Sequence, residues 1–210
     1  MSRLVYVGDP MCSWCYGFGP QLSALLAAHP EAGVEIVTGG LRAYNNNPMS
    51  PEFREMLRGH WKNVERMSGL PFSEGALLAD GFVYDTEPAC RAVVTARAHS
   101  PERALPYFQA VQAAFYRDGR DVTRGEVLAD IAAENGMERE TFLAAWRSEV
   151  AHDAARNDFS VTQRLGVSGF PTLAVYKGDA LFLVASGFCT AAVLEERLAA
   201  IEARATEARP

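Results

Sequence analysis

The sequence predicts an α/β protein: a central mixed sheet flanked by helices, with an all-helical insertion in mid-chain. Three observations predict it. A short run rich in β-branched and aromatic residues opens the chain, and similar runs return in its last third. Between them, from residue 50 to about 150, apolar residues recur at helical spacing in one segment after another. Glycine and proline punctuate the chain at the joints between these regions.

Leu4-Val5-Tyr6-Val7 reads as a buried strand, ended by Gly8-Asp9-Pro10. The helix that follows carries Leu22, Leu25 and Leu26 on one face, with Pro20 inside it as an expected kink. Pro30 and Gly33 end it, and Val34 to Thr38 alternates as a second strand stopped by Gly39-Gly40. Ser50-Pro51-Glu52 is a helix start, with a capping serine and a proline in the first turn. Gly69-Leu70-Pro71 breaks that helix. A second runs from Glu87 to His99, and Ser100-Pro101-Glu102 is expected to start a third through Leu105, Phe108, Val111 and Phe115. Thr123 with Glu126 reads as a capping box for a fourth, closed by Asn135-Gly136. Phe142, Leu143 and Trp146 mark a further short helix, and Val161 and Leu165 end another. The aromatic residues of this block read as helix–helix core. Leu173 to Tyr176 and Leu181 to Val184, joined by Lys177-Gly178-Asp179, form a hairpin signal, and Thr190 caps a terminal helix.

The chemistry is expected at Cys12-Ser13-Trp14-Cys15, between the first strand and the first helix. Thiols three residues apart on a helix share a face and can close a disulfide with little backbone movement. Cys12 is the expected attacking sulfur. The start of a helix offers free N–H groups and the positive end of the dipole, which favour a thiolate. A drop of three units from the free-thiol value corresponds to about 4 kcal/mol. The dipole supplies only ~0.3–2 kcal/mol, so direct N–H bonds from Ser13, Trp14 and Cys15 to the sulfur are expected to supply the rest. Cys15, one turn in, suits the resolving role, and Trp14 is expected to be partly exposed as an apolar contact for a partner.

Bulk composition narrows the field. The chain has 210 residues, 49% hydrophobic and 22% charged, as in an ordinary globular protein. Its formal charge of -6 argues against a nucleic-acid partner. No stretch approaches the ~20 apolar residues of a membrane span, and no membrane partner is expected. No signal peptide is visible, so the reducing cytosol is the expected compartment, where a dithiol cycles more readily than it stays a structural bridge. A metal is not expected: Cys90 and Cys189 stand alone, and His29, His60, His99 and His152 show no ligand spacing.

The run Asp9-Pro10-Met11-Cys12-Ser13-Trp14-Cys15-Tyr16-Gly17 and the run Gly166-Val167-Ser168-Gly169-Phe170-Pro171-Thr172 carry a resemblance. With the element order, they make the chain similar to the DsbA family of thioredoxin-fold dithiol oxidoreductases, in particular its cytosolic FrnE-like members and predicted protein-disulfide isomerases. The resemblance implies a thioredoxin-like domain over residues 1–48 and 150–210, with residues 49–149 as the inserted helical domain. It implies a cis peptide at Pro171 facing the thiols, with Phe170 beside the disulfide. It implies exchange with protein thiols and disulfides, with no cofactor, and with glutathione or a thioredoxin-type protein as the reductant. The best-known periplasmic members carry Pro-His between the cysteines where this chain has Ser-Trp, so the direction of exchange stays open. Asp9 and Glu87 are the candidate proton-relay groups for Cys15. Cys90 and Cys189 are expected to be lone thiols.

Two other readings stay open. Some proteins of similar appearance are non-enzymatic adaptors that deliver a transcription factor to a protease, using the fold as a binding platform. Glutathione-transferase-like and chromene-carboxylate-isomerase-like enzymes share the topology, but typically place a serine where Cys12 stands here.

Overall fold

A computed structural model describes residues 3–79 and 81–207. Among them, four strands form one mixed sheet in the order β2-β1-β3-β4. β1 (Arg3–Gly8) lies inside, parallel to β2 (Gly33–Thr38) and antiparallel to β3 (Thr172–Lys177). Both faces of β1 are covered, which is why it is apolar without alternation. Leu4 and Tyr6 face the main core, whereas Val5 and Val7 join Val37 on the opposite face. β4 (Ala180–Ser186) closes the sheet through a two-residue turn in which Gly178 takes a φ of 60°, a conformation that favours glycine.

The parallel β1–β2 pair needs a crossover, supplied by α1 (Ser13–Ala28), which continues through Pro20. Helices α2 (Pro51–Ser68), α3 (Glu87–His99), α4 (Ala104–Tyr116), α5 (Gly125–Glu134) and α6 (Arg139–Trp146) follow β2. α7 (Glu149–Arg164) leads back to the sheet, and α8 (Ala191–Glu207) ends the fold. At α2 the local signals act as expected: Ser50 Oγ accepts from the Phe53 N–H at 3.2 Å, and Gly69 ends the helix at a φ of 72°.

Two expected starts differ. The Ser100 hydroxyl donates to the Glu102 carboxylate instead of capping, and a 3₁₀ turn over Pro101–Arg103 precedes α4. Thr123 lies outside α5, because Asp121 Oδ1 takes both its N–H (3.0 Å) and its hydroxyl (2.6 Å). Glu126 does not complete a capping box: Arg139 and Arg147 hold its carboxylate at 3.0 and 2.7 Å.

The buried cluster is continuous from the sheet into the helices. Leu4, Tyr6, Phe18 and Leu173 belong to it together with Phe108, Phe115, Leu128 and Phe142. Beneath the start of α1, Tyr116 stacks on Tyr16 at 5.0 Å and meets Trp61 edge-on at 5.1 Å.

Candidate active site

β1 delivers the chain to a buried turn. The Asp9 carboxylate, fully buried, accepts the Met11 N–H at 2.8 Å on one oxygen and the Leu41 N–H at 2.7 Å on the other. The first contact is the local turn an aspartate forms with the residue two further on. The second ties the turn to the loop after β2. The Cys90 thiol also donates to Asp9, at 3.4 Å. Burial pushes the Asp9 carboxyl above the usual carboxylate range, opposed by these N–H bonds.

Cys12 closes the turn, its N–H donating to the Asp9 carbonyl at 3.0 Å. It stands at the N-cap of α1 with extended backbone angles, φ -90° and ψ 117°. Its sulfur takes no N–H bond from the first turn, contrary to expectation; instead, the thiol donates to the Phe170 carbonyl at 3.7 Å. The reason is chemical: a neutral thiol has a proton to place, and a carbonyl accepts it. Cys12 is 6% exposed and Cys15 is fully enclosed, so the two sulfurs differ in access.

Cys15 sits one turn in, beside Cys12, with no disulfide between them. Burial pushes its thiol well up, and the neighbouring Cys12 sulfur adds to this; a backbone bond from Asp9 and the Tyr6 hydroxyl pull the other way. Tyr6 itself is pushed up, first by burial and then by Cys15.

The loop before β3 faces the thiols. The Phe170–Pro171 peptide is cis. The Pro171 carbonyl accepts the Gly187 N–H at 2.7 Å, and the Thr172 hydroxyl donates to the Gly169 carbonyl at 2.9 Å. The Phe170 ring rests on Gly39, where a β-carbon would lie 2.2 Å from it. A hollow of about 490 Å³ opens beyond that ring, walled by Gly40, Leu41, Tyr44, Phe159 and Val167. Trp14 is half-buried, its ring 6.0 Å from that of Phe188 at the approach to α8, and Ser13 is half-buried next to it. Of the motif, Cys12 thus meets Phe170 from the far end of the sequence, while Trp14 meets Phe188.

Other singled-out residues stand elsewhere. Glu87 forms an ion pair with Arg91 at 2.8 Å and approaches His152 at 3.3 Å, joining α3 to α7. Cys189 is half-buried beside Phe188, free like Cys90. Among the described residues no group of three or more His, Cys, Asp or Glu side chains converges to hold a metal. Sequence reasoning missed Tyr84 and Tyr116, whose hydroxyls both donate to the Met11 carbonyl. Their only advance signal is general: a buried tyrosine usually finds a partner for its O–H.

The signature of the DSBA-like thioredoxin domain matches residues 3–199. A candidate protein disulfide isomerase from Nitrosomonas europaea has a similar structure, with a TM-score of 0.90 and 35% identity over 97% of this chain and 98% of that one. Cytosolic disulfide reductase DsbM from Pseudomonas aeruginosa superposes with a TM-score of 0.76 at 27% identity, covering 98% of this chain and 100% of that one. The same reductase with GSH matches with a TM-score of 0.74 at 28% identity, over 96% of this chain and 98% of that one.

Proposed function

The chain belongs to the family of DSBA-like thioredoxin domains and is a thiol–disulfide oxidoreductase, and we propose that Cys12 and Cys15 are its working pair. The observation that carries the assignment is the asymmetry of the two sulfurs. Cys12, at the N-cap position of α1, keeps 6% exposure beside the Phe170 carbonyl, whereas Cys15, one turn behind it, is fully enclosed.

In the reducing direction, the Cys12 thiolate attacks one sulfur of a substrate disulfide, and the other substrate sulfur leaves as a thiolate. The mixed disulfide joins Cys12 to the substrate. Cys15 then gives up its proton and attacks the Cys12 sulfur, and the second substrate sulfur departs. The substrate gains two electrons, and the Cys12–Cys15 disulfide holds the oxidising equivalent. Two thiols return the pair to the dithiol and leave as their own disulfide; glutathione is the first candidate, since a structure of DsbM is described with GSH. Burial pushes the Cys15 thiol up, so it stays protonated until the resolving step.

Protein substrates are proposed to lie extended along the loop before β3. Pro171 has no N–H and its carbonyl is taken, so Phe170 offers the backbone nearest to Cys12. Trp14 and Phe188 supply apolar surface on one side, and the hollow beyond Phe170 lies on the other. Among the described residues no helix is long and apolar enough to cross a membrane, and the working compartment is proposed to be the cytoplasm.

Insulin reduction with glutathione as electron source tests the assignment. Cys12→Ala should lose turnover altogether, and Cys15→Ala should accumulate a mixed disulfide on Cys12, visible by mass spectrometry. Wild-type turnover in Cys12→Ala overturns the assignment.

A further inference from the structure

The carbonyl oxygen of Met11, one peptide ahead of Cys12, receives two phenol hydroxyls at once. Tyr84, in the segment before α3, and Tyr116, the last residue of α4, both donate to it, with their oxygens 3.3 Å apart. Met11 and Tyr116 are fully buried, and Tyr84 nearly so. A carbonyl oxygen has two lone pairs, so two donors saturate it. The N–H of the same peptide is held by the Asp9 carbonyl. Both polar ends of the Met11–Cys12 peptide are therefore tied from inside, and its plane sets where the Cys12 side chain leaves the backbone.

The rings have their own packing. Tyr116 meets Phe115 at 4.9 Å and Tyr16 at 5.0 Å; Tyr84 meets Phe115 at 5.8 Å. Phenylalanine would fill that space as well, as Phe82 and Phe115 do around it. The hydroxyls need a separate reason, and the acceptor they share is the carbonyl of the peptide that carries Cys12. Burial drives both phenols up, so neither ionises near neutral pH and both remain donors.

We propose that Tyr84 and Tyr116 are positioning residues for Cys12: a two-phenol clamp, supplied by the segment between β2 and α7, that orients the Met11–Cys12 peptide and neutralises its carbonyl. The proposal rests on reading Cys12 as the reacting sulfur, and makes the helical segment part of the active site rather than a passive insertion.

The test is alkylation of Cys12 by iodoacetamide as a function of pH, followed on the Cys12 peptide by mass spectrometry. Tyr84→Phe and Tyr116→Phe should each slow labelling at pH 7 by about threefold and raise its pH midpoint. The double variant should lose more than the product of the two, because only then is a buried carbonyl left without a donor. Tyr107→Phe is the control: its hydroxyl makes a bond of the same kind to the Leu128 carbonyl at 2.8 Å, away from the thiols. It should lower the Tm and leave Cys12 labelling unchanged. Wild-type labelling in both single variants, with a Tm lowered as in Tyr107→Phe, overturns the proposal; these singles decide the matter even if the double does not fold. Labelling is read without turnover. A failure of the dithiol assignment would show separately, as undiminished insulin reduction by Cys12→Ala.

Discussion

At the residue scale, the candidate site was legible where its chemistry is local in sequence. A Cys-x-x-Cys between strand and helix and a Gly-Phe-Pro-Thr before a strand carry their meaning within a few residues. Tyr84 and Tyr116 do not, because an aromatic position in a helical block looks the same whether its hydroxyl is idle or bonded. Gly39 is a third case. The sequence presents it with Gly40 as a strand stop, yet the structure gives it a separate duty as the floor under the Phe170 ring. Gly39→Ala should force that ring aside and cost about 1–3 kcal/mol of stability through overpacking. In a Phe170→Ala background the same change should cost almost nothing, since the clash has no partner. Urea denaturation of the four proteins gives the coupling, and equal costs in both backgrounds would falsify the contact as the cause.

At the element scale, helix ends were readable when the capping group was unopposed, as at Ser50, and misread where a side chain from elsewhere competed. Thr123 lost its capping role to Asp121, and Glu126 was claimed by arginines 13 and 21 residues ahead. At the start of α7 the Ser148 hydroxyl oxygen accepts the Ala151 N–H at 3.2 Å, a local cap like that of Ser50 which the sequence reading passed over. A long-range contact also holds the helix. Asp158, buried on α7, accepts the Thr38 N–H at the end of β2 (2.8 Å) and both arms of Arg97 on α3 at 2.9 Å. One carboxylate thus joins a strand and two helices. Asp158→Ala leaves an orphaned N–H and a partly buried guanidinium. Because Arg97 keeps some contact with water, the expected loss is about 3 kcal/mol, the lower end for a broken buried pair. Asp158→Asn can keep the Thr38 bond and should lose roughly half as much. A urea midpoint unchanged in Asp158→Ala would mean that α7 is held by its local cap and apolar packing alone.

At the scale of the whole molecule, the α/β class and the element order followed from apolar periodicity, which reports which faces are buried. Periodicity does not report which faces meet, so the continuity of the core was not readable. The proposed division into residues 1–48 with 150–210 and an inserted 49–149 therefore carries a statement about unfolding. Because one buried cluster runs through both parts, they are expected to melt in a single transition. That shared core also sets how the protein responds to alkali. Tyr6, Tyr84, Tyr107 and Tyr116 are buried, and burial raises each phenol above its ordinary value near 10. A raised folded pKa means that the stabilisation is fully present below the unfolded pKa and is lost as pH climbs toward the folded one. Above pH ~10 the unfolded chain can release these protons and the folded chain cannot. Each tyrosine then removes about 1.4 kcal/mol per pH unit, and four remove about 5 kcal/mol per unit. The buried thiols of Cys15 and Cys90 are raised by the same cause and start the decline from about pH 8.5. With the two thiols having removed about 4 kcal/mol by pH 10 and all six groups then removing about 8 kcal/mol per unit, a total stability of about 5–15 kcal/mol should be exhausted between pH ~10 and roughly 1.5 units above it. Thermal melts from pH 8 to 11.5 under reducing conditions measure this directly. Tyr107→Phe should start from a lower Tm but decline less steeply, by about 1.4 kcal/mol per unit, because one of the trapped protons is gone. A Tm that stays level through pH 11 would mean that these phenols reach water without unfolding.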